Sequence, residues 1–99
     1  MEAQTLWIPE FQSLADEVPT LILFGLKPIP PDHGDRVARL MAFVDVWYDR
    51  QCKLVVGASV APEWLYPAGP LVKAFERTVS RLYDMQNPAW WARPVRPRT

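Results

Sequence analysis

Three cations stand four residues apart in the last third of this chain: Lys73, Arg77 and Arg81. On a helix that spacing places them in one stripe, where neighbouring like charges cost about 0.2–0.5 kcal/mol per pair. Such a stripe can receive phosphate or a partner's carboxylates, and arginine offers a planar fork for two-point contact. The plainer reading is a solvated face on which Glu76 and Asp84 dilute the charge. Arg36 and Arg39 raise the same question upstream. Arg39 lies between the apolar positions Val37 and Leu40, and pairing with Asp35 or Asp45 would make it ordinary surface.

Other reactive chemistry is thinly supplied. A phosphate-cradling loop reads G-x-x-x-x-G-K-[ST], because backbone N–H groups and one lysine must converge on the phosphates. Gly25, Gly34, Gly57 and Gly69 are dispersed and none precedes a lysine; no G-x-G-x-x-G occurs either. A self-contained nucleotide site is not expected. His33 is the single histidine and Cys52 the single thiol, so a metal site would draw on carboxylates to complete its ligands, and we expect no metal. His33, among Pro31, Asp32 and Gly34, reads as a loop residue. Cys52 reads as a small apolar filler, and a Cys–His nucleophile pair meets the same objection. Trp90 and Trp91 either pack back on the body or anchor an interface with a neighbour.

The elements that must hold these residues follow from hydrophobic spacing. Phe11, Leu14 and Ala15 mark a short helix over 10–17. From Thr20 the run Thr-Leu-Ile-Leu-Phe-Gly-Leu shows no polar alternation, the pattern of a strand buried on both faces of a parallel sheet. Prolines 28, 30 and 31 end it. Val37, Leu40, Met41, Val44 and Trp47 or Tyr48 trace a second helix, with Asp35 placed to cap it. A second unalternating run over 52–58 predicts another buried strand, making one strand–helix–strand crossover. A helical turn at 62–66 and a longer helix carrying Leu71, Val72, Phe75, Val79, Leu82 and Met85 follow, stopped at Asn87-Pro88. The fold class is α/β: a partial three-layer parallel sheet in the order helix, strand, helix, strand, short helix, helix. Residues 1–88 form the body, and 89–99 a proline- and arginine-rich tail expected to be mobile.

Ninety-nine residues make one small domain, and 11 basic against 11 acidic residues leave no global field to attract nucleic acid or anionic membrane. The 49% hydrophobic content excludes a disordered chain. Five Trp, four Phe and three Tyr are more than a domain hiding about 60–70% of its unfolded surface conceals with ease, so some aromatic surface should meet a partner. Charge is uneven: the tail carries +3 through Arg93, Arg96 and Arg98, and the body −3. One cysteine forms no internal disulfide, no leader-like segment opens the sequence, and no apolar run approaches the roughly 20 residues of a membrane span. The cytoplasm is the expected compartment. Two parallel strands are less than a stable sheet, so either self-association or a protein partner should complete it.

Several blocks together resemble a known family. Phe43-Val44-Asp45-Val46-Trp47-Tyr48-Asp49-Arg50, Lys53-Leu54-Val55-Val56-Gly57-Ala58, Glu63-Trp64-Leu65-Tyr66 and, above all, Phe75-Glu76-Arg77-Thr78-Val79-Ser80-Arg81-Leu82-Tyr83-Asp84-Met85-Gln86 are similar to the C-terminal end of ZapE-type ATPases. These are AAA+-like P-loop proteins of bacterial cell division with mitochondrial relatives. The likeness runs from about Glu10 to Trp91 in the same block order. It implies the C-terminal portion of a P-loop ATPase fold, a parent that binds ATP with magnesium and works as an oligomer, and an activity that needs Walker A and B segments absent from these residues. ATP hydrolysis by this chain alone is therefore not expected. The resemblance makes Arg39, Arg77 and Arg81 the candidate phosphate contacts. It also shows two departures: Ala38 stands where the first of two adjacent middle-helix arginines belongs, and Gly57 replaces a usual serine, which should loosen the strand end. The rival reading is a stand-alone interaction module that docks or dimerises through its open sheet edge and Trp90-Trp91, without nucleotide.

Overall fold

The computed structural model describes residues 7–18 and 20–96. Helix α1 (Trp7–Glu17) leads into strand β1 (Thr20–Leu26), helix α2 (Gly34–Asp49) and strand β2 (Lys53–Ala58). A single 3-10 turn (Pro62–Trp64), helix α3 (Val72–Asp84) and a short helix α4 (Pro88–Trp91) complete it. Pro9 falls in the first turn of α1, where a missing N–H costs nothing. β1 and β2 pair in parallel, Thr20 beside Lys53 and Leu23 beside Val56, with α2 as the crossover between them. The α/β order expected from the sequence is observed through α3, and α4 is added to it.

Two local expectations change. Asp35 does not cap α2: His33 occupies that position without a capping side-chain hydrogen bond, and Asp35 sits in the first turn, where its charge favours the helix dipole. The strands are not buried on both faces. Leu21, Leu23, Leu54 and Val56 face the core, whereas Ile22, Phe24 and Val55 are exposed, Phe24 by 78%. An apolar run without alternation is ambiguous, because both faces read alike whether or not anything covers the second. At Gly57, where a looser strand end is expected, the pairing shifts register between Leu23 and Leu26. A Cβ there would meet the Phe24 ring at 2.8 Å, so the missing side chain is where Phe24 lies across the strand pair.

The core is built around α2. Phe11 of α1 meets Phe43 edge-on at 5.3 Å, and Phe43 stacks on Trp47 at 4.5 Å. Val37, Val44, Val46 and Trp47 are buried, a wider stripe than spacing predicts because α1 and α3 both pack on this helix. α2 ends in a left-handed residue, Gln51 (φ 55), with the Cys52 N–H donating to the Trp47 carbonyl and the Gln51 N–H to that of Tyr48. This is a Schellman closure with glutamine where glycine is usual. It turns the chain into β2, at whose entrance two carbonyls accept from indoles: Trp90 donates to Cys52 at 3.0 Å and Trp47 to Lys53 at 3.1 Å.

The segment after Pro88 is not loose, contrary to expectation. Asn87 caps α4 by accepting from the Ala89 N–H at 2.9 Å, and Trp90 is buried. Beyond it the backbone is clasped. Lys53 Nζ donates to the Arg93 carbonyl at 2.6 Å, Arg50 Nε to the Arg96 carbonyl at 2.8 Å, and the Arg96 N–H to the Arg50 carbonyl at 2.7 Å. The sequence hides this because the clasp touches only main-chain atoms of the tail. Residues 97–99, with Arg98, lie outside the described residues.

Candidate functional site

Helix α3 buries Phe75, Thr78 and Leu82, one stripe at helical spacing. That stripe turns Arg77 and Arg81 toward α2, where both reach one carboxylate. Arg77 Nη2 donates to Asp45 Oδ2 at 3.0 Å and Arg81 Nη1 to Asp45 Oδ1 at 2.6 Å. Two guanidiniums thus share a single negative charge, leaving a local surplus of one positive. The repulsion inferred from their i, i+4 spacing is offset across the helix–helix contact rather than along α3. Glu76 and Asp84, expected to dilute the stripe, make no ion pair with either arginine among the described residues.

The two arginines differ in freedom. Arg81 also lies over the Tyr48 ring, 4.6 Å from its centre, and 22% of its side chain is exposed, against 63% of that of Arg77. Tyr48 is itself fixed: its hydroxyl donates to Asp84 Oδ2 at 3.0 Å and its ring stacks on Trp90 at 4.8 Å. The hydrogen bond to Asp84, with some burial, pushes the Tyr48 hydroxyl above its ordinary pKa, so it stays protonated and donating. Arg93 lies 5.3 Å over the other partner in this stack, Trp90.

Arg39 is on α2 but not with this pair. It is exposed and six residues before Asp45, which is roughly 120° around a helix of 3.6 residues per turn. The Trp pair is divided: Trp90 packs into the body, and Trp91 is 40% exposed. His33 and Cys52 stand beyond opposite ends of the 16-residue α2, roughly 24 Å of helix apart. His33 has Arg36 and Asp32 as neighbours, and burial pushes the Cys52 thiol upward. Among the described residues no group of three His, Cys, Asp or Glu gathers as a metal site. No described helix is long and apolar enough to cross a membrane.

Sequence reading missed the role of Asp45 as the shared partner of Arg77 and Arg81. Its only signal is a lone acid at the middle of an apolar helix stripe, flanked by Val44 and Val46. It missed Arg50 as well. That side chain is nearly buried and, besides holding the tail, donates to the Gln12 side chain at 2.9 Å and to Asp16 at 2.8 Å.

Comparison with known proteins gives this arrangement its context. The profile of the AFG1-like ATPase family matches residues 3–94. The cell division protein ZapE of Escherichia coli K12 is 35% identical over 68 residues, and ZapE of the O157:H7 strain matches equally. The match covers 69% of this chain and 18% of ZapE, so the chain spans less than a fifth of the relatives it resembles. No solved structure matches. With its strand–helix–strand order, its α3 string and nearly its whole length inside one family profile, the chain belongs to the AFG1-like ATPase family.

Proposed function

We propose that this segment serves an AFG1-like ATPase by bringing fixed arginine charge to the phosphates of a nucleotide held by another segment or chain, and that it does not turn over ATP by itself. In this reading it is a C-terminal or split piece of a ZapE-like protein that works as a cytoplasmic oligomer in cell division. The observation that carries it is the Arg77–Asp45–Arg81 cluster, two guanidiniums with one carboxylate on a solvent-facing helix edge. Arg39, exposed on the neighbouring helix, is the third candidate. The residues suit the outer oxygens of a phosphate chain, to which guanidinium forks are matched. The sequence holds no P-loop motif and the described residues gather no carboxylate cluster for magnesium, so in this reading those parts fall to the partner. ATP when bound would supply the phosphoryl group; Arg77 and Arg81 would hold positive charge beside it.

Phosphate release by the isolated chain tests this. No turnover is expected, and turnover that survives Arg77→Ala combined with Arg81→Ala overturns the proposal.

A second reading has its own observation. Ile22, Phe24 and Val55 leave one sheet face apolar and uncovered, which suits a protein-interaction module without nucleotide. Phe24→Ser should then lower concentration-dependent association in gel filtration while leaving the unfolding free energy within ~0.5 kcal/mol, because the ring is largely in water. A wild-type chain that runs as a monomer and binds no hydrophobic dye removes this reading.

A further inference from the structure

We infer that Asp45 is a positioning residue that gives the two α3 arginines different tasks: it holds Arg77 in a displaceable grip, while Arg81 is a fixed strut. This rests on the reading that the basic edge of α3 meets phosphate.

The geometry distinguishes the two. Arg81 makes the shorter bond to Asp45, lies on the Tyr48 ring and is mostly covered. The platform beneath it is braced twice, by the Tyr48 hydroxyl on Asp84 and by the Trp90 ring. To leave, Arg81 would give up a carboxylate and an aromatic face together. Arg77 makes one longer bond through one nitrogen, has no aromatic neighbour among its described contacts, and stands mostly in water. Its remaining N–H donors have no partner among the described residues. An incoming phosphate dianion therefore competes with one shared carboxylate for Arg77, while Arg81 neutralises that carboxylate and keeps it in place. Asp45 thus holds Arg77 at a defined spot without tying it down. The grip is weak because the single charge of that carboxylate is already shared with Arg81 through its other oxygen.

Inorganic pyrophosphate titrated into the full chain at low salt tests the idea, with the arginine Nε–Hε signals followed by NMR. Pyrophosphate should move the Arg77 signal and leave that of Arg81 in place. Asp45→Asn should tighten pyrophosphate binding by roughly fivefold or more, about fivefold for each unit of ligand charge that lies about 4 Å from the lost carboxylate in water. Asp45→Glu should return the affinity toward wild type, which a purely structural role would not require. Tyr48→Phe keeps the ring but removes the Asp84 bond; it should loosen the Arg81 signal and leave Arg77 unaffected. Tryptophan-monitored thermal unfolding identifies variants that keep the fold, and Tyr48→Phe carries the test if Asp45→Asn does not.

Equal responses from the two arginines, or an unchanged affinity in a folded Asp45→Asn chain, overturn the division of labour while leaving the phosphate reading intact. Absence of pyrophosphate binding in both wild type and Asp45→Asn overturns the phosphate reading. The separate tasks are then judged by side-chain order alone: an Arg77 signal as rigid as that of Arg81 in the free protein sinks them too.

Discussion

Gln51 occupies a backbone conformation that an L side chain adopts at a cost of roughly 1–2 kcal/mol, and it does so to close α2 and aim Cys52 into β2. Its side chain makes no hydrogen bond among the described residues that would offset the strain. Gln51→Gly should therefore stabilise the chain by about 0.5–1 kcal/mol, the relief being only partly offset by glycine's freer unfolded state. Gln51→Val should destabilise it, since a β-branched residue is least tolerant of positive φ. Urea unfolding of the two variants reads both signs. At the same scale, Asp45 shows what one acid can do between two helices: it makes tolerable an i, i+4 arginine pair that would otherwise repel.

At the scale of elements, the junction of α1, α2, β2 and the C-terminal segment depends on Arg50. Its guanidinium donates to Gln12 and Asp16 on α1 and to the Arg96 carbonyl, so three stretches distant in sequence meet at one nearly buried cation. Removing such a donor leaves several acceptors short. Arg50→Met should cost about 2–3 kcal/mol, less than a fully buried ion pair because Asp16 is partly in water. Amide exchange at Arg96, whose N–H donates to the Arg50 carbonyl, should rise beyond what the global loss explains. None of this was legible beforehand. Helix and strand positions came through because they rest on local spacing: Phe75 and Leu82 mark α3, and the apolar run from Thr20 marks β1. What holds elements to one another uses backbone carbonyls and acids distant in sequence, which leave no periodic trace. The arginines were visible as a stripe, but their partner on α2 and the stacking of Arg81 on Tyr48 depend on how two helices pack. The open strand face was hidden for a related reason: an apolar run shows that a surface is suited to burial, and Phe24 shows that this chain does not bury it.

At the scale of the whole molecule, a radius of gyration of 13.3 Å is that of an ordinary domain of about 100 residues, and the shape is a slab 22 Å in its thinnest direction. One sheet layer with helices against it gives such a slab. Two groups take stability from the fold as pH rises past about 9. The fold keeps the Cys52 thiol protonated where the unfolded chain releases the proton, and past about 10 Tyr48 acts in the same sense. Lys53 opposes them: burial lowers its pKa, so below about 10.5 the folded chain gives up its proton first and gains stability as pH rises. Cys52→Ala should shift the slope of stability against pH between 9 and 10 in the positive direction in denaturant titrations; an unchanged slope would remove the thiol as a contributor. The clasp on the C-terminal segment carries a consequence for heredity. Lys53 and Arg50 grip the carbonyls of Arg93 and Arg96, so mutation at Arg96 can redraw the outward character there, basic to acidic or apolar, without loosening the clasp. Proline at 96 is the exception, since the N–H of that residue is the one the body accepts.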